Sequence, residues 1–289
     1  MPELVNPVQM LEKARQEGYA FPAFNSNGGS YDITRAAIEA AEELGAPLIV
    51  QTYENNLPYR GFEHSARTTE LFLDDISVPV ALQLDHGHSP DSCLQALNAG
   101  YTSVMIDGSA LPFEENVAVT RKTLEHATPF GAAVEGEMGH ITIRDSDGSF
   151  EQAPKTDPAE AAACVEKTGV NMLAVAIGTT HGLFESQTDI DFGLLKRLRD
   201  EVPAPLVLHG TCGIPHDLLS RCVQCGIAKA NFGEVFRAPY IDYFLELSET
   251  LDHQGHPWKI MQAVKDRLKD DMHKLIRALG AEGKGRKQS

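Results

Sequence analysis

Three apolar runs in this chain end in histidine. VALQLDH closes on His86, LAVAIGTTH on His181 and LVLH on His209. Three neutral imidazoles with a fourth position left open describe a catalytic zinc centre. The same donors accept Co2+, Fe2+ or Mn2+, so zinc is the preferred ion among several. One histidine at the end of a strand is ordinarily a hydrogen-bonded polar residue at a sheet rim. Three of the 11 histidines at equivalent positions form a pattern that chance supplies much less readily. His64, His126, His253 and His273 fall in helical or loop segments and carry no such role.

Carboxylates accompany the trio. Asp85 immediately precedes His86. Adjacent strand residues face opposite sides, but at a strand end the chain can turn both toward one site. A carboxylate beside a metal-bound substrate can exchange protons with it. Glu135 and Glu137 alternate along one run, and Asp107 ends another. Acidic groups turned into a cleft are costly to desolvate unless paired or near a cation, and a divalent ion resolves that cost. Glycines flank the last two histidines: Gly178 and Gly182, then Gly210 and Gly213, while Asn231 and Gly233 close a further run. Glycine-rich turns before helices expose backbone N–H groups to anions, although tight turns alone also explain them.

The elements that must carry these residues are short apolar runs alternating with helix-like segments. The runs lie at 21–25, 47–52, 78–87, 103–108, 132–139, 172–182, 205–210 and 227–233. Between them, segments such as YDITRAAIEAAEELG and DPAEAAACVEKTG show helical spacing and stop at glycine. Apolar strands alternating with helices predict a parallel sheet covered on both faces. Eight repeats predict an α/β fold of the (β/α)8 TIM barrel type, in which every strand C-terminus opens onto one face. A doubly wound open sheet is the runner-up, weakened because no G-x-G-x-x-G follows the first strand. Residues 1–280 read as a single barrel domain, with a helical extension from about 234 that covers the barrel or meets another subunit. Residues 281–289 read as a disordered tail. The long polar stretch 140–157 follows the fifth strand and reads as a lid over the site.

Bulk properties narrow the partners. A net charge of −16 disfavours nucleic acid and anionic lipid. No run is apolar for the ~20 residues a membrane span needs, and the first residues look like neither a signal nor a transit peptide, so a cytoplasmic location is expected. The five cysteines do not form a disulfide framework, and Cys222 and Cys225 read as helix packing rather than a metal or redox pair.

PAFN, LDHG, SVMIDGS, VEGEMG, LAVAIGTTHG, LVLHGTCGIP and KANFG occur in that order along nearly the whole chain. Together they resemble the successive motifs of the class II fructose- and tagatose-bisphosphate aldolases. The resemblance implies that His86, His181 and His209 bind zinc and that Glu137 binds it in an alternative position. It implies that Asp85 shuttles a proton at the hydroxyl of the cleaved side. It further implies that Asn231 holds the enediolate and that Asn25 lies near the substrate. The implied activity is retro-aldol cleavage of a ketose or ketose phosphate, with the metal replacing a lysine Schiff base. No lysine ends a strand run beside an obvious apolar pocket, which also disfavours the Schiff-base route. The implied assembly is a homodimer or homotetramer.

The departures fall where the family binds phosphate. The loop after His209 reads Gly210, Thr211, Cys212, Gly213, with cysteine where a serine is usual. The position of the phosphate-binding threonine after Gly233 reads Glu234, a carboxylate that repels phosphate where a hydroxyl would donate to it. Arg237, one turn on, is a candidate to neutralise it. The lid lacks the family's glycine pair and offers Asp145, Asp147 or Glu151 as its acid or base, and His256, Pro257, Trp258 replace a distal Asp-Pro-Arg stretch. The expectation is a divergent aldolase acting on a substrate other than the usual ketose bisphosphate. A metal-assisted epimerase or isomerase, and a barrel that binds a sugar without turnover, are the alternatives.

Overall fold

The structure is a computed structural model and describes residues 4–139, 142–143, 154–182 and 189–286. Eight parallel strands close a barrel in chain order: β1 (Phe21–Asn25), β2 (Leu48–Tyr53), β3 (Val80–Gly87), β4 (Ser103–Ile106), β5 (Ala133–Met138), β6 (Met172–Val175), β7 (Leu206–Leu208) and β8 (Ile227–Phe232). β8 returns to pair with β1, with Phe21 opposite Lys229. The open-sheet alternative is thereby excluded.

Before the barrel, α1 (Val8–Glu17) lies at its N-terminal end, where Val5 N donates to the carbonyl of Val80, the first residue of β3. The outer ring follows the expected alternation, with α2 (Tyr31–Leu44), α3 (Phe62–Glu70), α4 (Pro90–Asn98), α5 (Phe113–Ala127), α6 (Pro158–Thr168), α7 (Phe192–Glu201) and α8 (His216–Gln224). α6 shows how sequence sets a boundary. Asp157 accepts hydrogen bonds from the N–H groups of Ala159 and Glu160 at its start, and Gly169 ends it in the left-handed region at φ 71°.

After β8 come α9 (Glu234–Thr250) and α10 (Pro257–Ala278). α10 lies against α2 on the outside of the barrel, where Lys265, only 2% exposed, donates to Glu39 at 2.5 Å. Among the described residues, no helix is long and apolar enough to cross a membrane. All five cysteines are buried, and none forms a disulfide with another described residue. Burial pushes the Cys222 thiol up to about 12, as suits packing rather than reactivity.

Two expectations are corrected. The run 172–182 is not one strand. β6 ends at Val175, and Thr180–His181 forms a separate two-residue strand paired in parallel with Thr142–Ile143, outside the barrel sheet. Of the predicted disordered tail, residues 281–286 are described and pack beside the end of α2, where Gly283 N donates to Leu44 O and Gly285 N to Gly45 O. The lid candidates Asp145, Asp147 and Glu151 lie outside the described residues.

Candidate active site

The C-terminal mouth of the barrel holds a cavity of about 210 Å³. Asp85, His86, Asp107, Glu137, His209 and Asn231 line it from strand ends, and His181 lines it from the short strand. One nitrogen from each of His86, His181 and His209 lies within 4.8 Å of the others. Backbone geometry explains how neighbours Asp85 and His86 reach the same site. The β3–β4 register shifts between Leu84 and Gly87, and His86 adopts φ 50° in the left-handed region. That turn cancels the alternation that would send the two side chains to opposite faces. Gly210, at φ 62°, lets the loop after β7 approach the short strand, since a Cβ there would meet the Thr180 backbone at 2.9 Å.

Hydrogen-bond partners fix which nitrogen faces the cavity. His86 Nδ1 lies 2.8 Å from Asp107 Oδ2, and His209 Nε2 lies 2.8 Å from Glu135 Oε1. A carboxylate only accepts, so these nitrogens carry the protons. With both rings neutral, the other two nitrogens, His86 Nε2 and His209 Nδ1, present lone pairs to each other at 3.2 Å. Two ligands on a tetrahedral ion, each at about 2.0–2.1 Å, stand roughly 3.3 Å apart. The facing lone pairs therefore fit a cation between them.

The electrostatics agree. Burial alone would depress the His86 pKa, but Asp85, the hydrogen bond to Asp107 and the charge of Glu137 overcome it and raise it to about 10. In the absence of an ion, a second proton on Nε2, donated to His209 Nδ1, therefore takes the place between the rings. Glu137 is 2% exposed, and its Oε2 has no hydrogen-bond partner among the described residues. Burial, reinforced by Asp107, pushes its carboxyl up to about 8. A buried carboxyl with an unpartnered oxygen, 4.0 Å from His86 Nδ1, marks a site short of positive charge. His86, Asp107 and Glu137 form a second group able to hold an ion.

Asp85 is held by three amides. Asn231 Nδ2 donates to its Oδ1 at 3.1 Å, Gln51 Nε2 to the same oxygen at 3.3 Å, and Asn25 Nδ2 to Oδ2 at 3.3 Å. Beneath this layer, Gln83, Glu135 and Lys229 are 0% exposed. Lys229 Nζ donates to Glu135 Oε2 at 2.6 Å and to Asn231 Oδ1 at 2.6 Å, and Gln83 Nε2 donates to Glu135 Oε2 at 2.8 Å. Burial works against ionising Glu135, but Lys229 and His209 hold it down to about 2.

Among the other predicted residues, Asn25, Gly210, Gly233 and Glu234 line the cavity. Thr211 and Cys212 are buried, and Thr211 Oγ1 donates to the Asn231 carbonyl at 2.5 Å. Thr211, Cys212, Gly213 and Gly182 are not among the lining residues. The sequence did not single out Tyr53, Asn27, Asn56, His88 and Ser109, which also line the cavity. The supporting Gln51, Gln83 and Lys229 were missed as well, yet each of Gln83, Glu135 and Lys229 lies two residues before a site residue on its own strand. That spacing was the available signal.

Comparison with known proteins agrees with this geometry. The family model of class-II fructose-bisphosphate aldolase matches residues 5–284. The chain is 35% identical over 284 residues to a fructose-bisphosphate aldolase of Geobacillus stearothermophilus, covering 97% of this chain and 98% of that one. It is 33% identical over 291 residues to a 6-phospho-5-dehydro-2-deoxy-D-gluconate aldolase of Bacillus subtilis, covering 98% of each. The crystal structure of the YdjI aldolase of Escherichia coli superposes with a TM-score of 0.86 at 30% identity, covering 98% of this chain and 100% of that one. The barrel, the imidazoles converging with facing lone pairs and the full-length match lead to one conclusion: this chain belongs to the class II fructose-bisphosphate aldolase family and is a metal-dependent aldolase, a lyase.

Proposed function

We propose that this aldolase cleaves a ketose-like substrate whose enediolate-forming fragment is not held through a phosphate as in the usual ketose bisphosphates. Glu234 carries the reading. It lines the cavity, half-buried, at the start of α9, where a helix N-terminus would otherwise favour an anion. Its carboxylate offers only acceptors, which suit hydroxyl groups and repel a phosphate. Arg237 also lines the cavity but is exposed at its rim. Relatives of nearly equal similarity carry the names of different substrates, so overall identity does not choose among them.

His86, His181 and His209 would hold the ion, with Glu137 as an alternative ligand. Zinc is preferred, and Co2+, Fe2+ and Mn2+ are compatible. When bound, the ion supplies Lewis-acid polarisation of the substrate ketone. The chain's own groups do the rest. Asp85 takes the proton from the hydroxyl on the carbon that becomes the aldehyde, as the carbon–carbon bond breaks. Three amide donors fix its carboxylate for that task. Asn231 and Asn25 direct N–H groups toward the same space and steady the developing enediolate.

Exposed Ile241 and Leu245 on α9 and Trp258 on α10 support a homodimer or homotetramer, because apolar side chains this open, at 55%, 58% and 63%, suit cover by a second copy. A cytoplasmic location fits cysteines that form no disulfide among the described residues.

The test is to assay aldehyde release from fructose 1,6-bisphosphate, tagatose 1,6-bisphosphate, and a panel of unphosphorylated ketoses and keto acids. Preference for the panel is expected. Efficient turnover of either bisphosphate would refute the assignment of Glu234.

A further inference from the structure

Lys229 is a fully buried charged group that the cleavage chemistry does not use. It sits on β8 with 0% exposure, inside the barrel, and reaches across to Glu135 on β5. A fully buried lysine is costly unless every charge it brings is answered. Here one oxygen of Glu135 answers the charge at 2.6 Å, and Asn231 Oδ1 answers a second hydrogen at 2.6 Å.

We propose that Lys229 is a positioning residue that sets the orientation of two groups facing the substrate and the ion. The first is the Asn231 carboxamide. An ammonium has no acceptor, so only Oδ1 can face it, and the NH2 must point up toward Asp85, which accepts at 3.1 Å. A flipped amide would set NH2 against NH3+ and lose the Asp85 bond, a larger cost than the unflipped NH2 bears in lying 3.0 Å from His209 Nε2, whose proton points to Glu135. The second is the His209 ring. Lys229 and Gln83 both bind Oε2 of Glu135, which leaves Oε1 for His209 Nε2. The ring then holds its proton on Nε2 and turns the Nδ1 lone pair to the mouth. One buried cation thus keeps a donor and a lone pair facing outward. The Asn231 half rests on the enediolate reading given above, whereas the His209 half rests on metal binding alone.

The experiment compares two double variants with the wild-type protein. Glu135→Leu with Lys229→Met removes both charges together, so no unpaired ion is left in the barrel. Glu135→Gln with Lys229→Met returns an acceptor to His209 but no donor to Asn231. Readouts are Co2+ affinity by chelator competition, the visible spectrum of bound Co2+, and the affinity of the Co2+-loaded protein for glycolohydroxamate, a small enediolate mimic. The leucine pair is expected to weaken Co2+ binding about 10- to 100-fold and to alter its spectrum. The glutamine pair is expected to recover Co2+ binding yet bind the hydroxamate at least about tenfold more weakly than wild type, the size of one lost oriented hydrogen bond.

Wild-type Co2+ affinity and spectrum in the leucine pair would overturn the His209 half, whatever its melting temperature. Wild-type hydroxamate affinity in the glutamine pair would overturn the Asn231 half. Failure of the wild-type protein to bind hydroxamate would overturn the enediolate reading and the Asn231 half with it, while the Co2+ result still decides the other half. Should the leucine pair not fold, Glu135→Asp draws the carboxylate back from His209 while keeping a charge opposite Lys229. The same weakening of Co2+ binding is expected from it, and no change would overturn the His209 half.

Discussion

Asp107 offers a sharp test of how His86 is prepared for an ion. Its two oxygens have separate duties. Oδ2 meets His86 Nδ1 at 2.8 Å, while Oδ1 accepts from Ser109 N at 3.1 Å and Ser109 Oγ at 2.7 Å. In Asp107→Asn only one position can accept. If the amide oxygen stays with Ser109, the NH2 faces His86 Nδ1 and forces the ring proton onto Nε2, closing the lone pair that the ion needs. If the oxygen turns to His86, the NH2 collides with the Ser109 N–H. Metal binding must then give up a hydrogen bond to a formerly charged acceptor, about 1.5–3 kcal/mol, or roughly 10- to 150-fold in Kd. Asp107→Ala imposes no wrong tautomer, because water can take the place of the carboxylate, so it should bind metal better than the asparagine variant. The assay is competition of each variant with a chelator for Zn2+ near neutral pH. Asp107 also belongs to a group that could itself ligate the ion. If it is a ligand rather than a partner of His86, alanine will be the weaker binder, and the tautomer argument fails.

Three further outcomes follow. Dialysis against a chelator should abolish carbon–carbon cleavage, and Zn2+ or Co2+ should restore it. Cleavage that persists in demonstrably metal-free protein would refute the assigned role of the imidazoles. Glu39→Gln should cost about 1–3 kcal/mol near neutral pH, because it removes the charge that ties Lys265 of α10 to α2 and that pairs with Arg35 one turn earlier on α2. Burial opposes ionisation of Glu39, but Lys265 and Arg35 lower its pKa below the ordinary 4.5. That contribution is therefore full above pH 4.5 and fades as pH falls through the folded-state value, so urea midpoints of variant and wild type should converge in acid. Leu245→Glu should shift sedimentation toward smaller species if a second copy covers α9, and an unchanged coefficient would remove that face from any interface.

Much of the barrel was legible because its signals are local. Apolar runs, glycine stops and histidines at strand ends can be read without knowing which strands pair. The six residues from Ala176 to His181 were harder. They are apolar enough to look like strand, but the pairing of Thr180 with Thr142 draws them out of the barrel, and a partner 38 positions away in sequence leaves no local trace. The C-terminal turn misled for the opposite reason. GAEGKGRKQS has the composition of a loose tail, yet Gly285 lies so close to the turn between α2 and β2 that a Cβ would meet Ala46 C and Pro47 N at 2.7 Å. Glycine there permits contact rather than disorder.

The inner polar layer was missed for a reason that generalises. In an ordinary parallel strand, Gln51, Gln83 and Lys229 would be read as outward or edge residues, since a barrel interior is expected to be apolar. Parity resolves this. Asp85, Glu137 and Asn231 must face inward to reach the mouth, so Gln83, Glu135 and Lys229, two residues earlier, must face inward as well. Their burial is then a question of charge balance. Glu135 and Lys229 cancel each other in the lower layer, while Asp85, Asp107 and Glu137 in the upper layer have no lysine or arginine within ion-pair distance among the described residues. The two layers solve the same desolvation problem with different cations. The lower one carries its own on a fixed side chain, and the upper one keeps its place for an ion that can also meet a substrate.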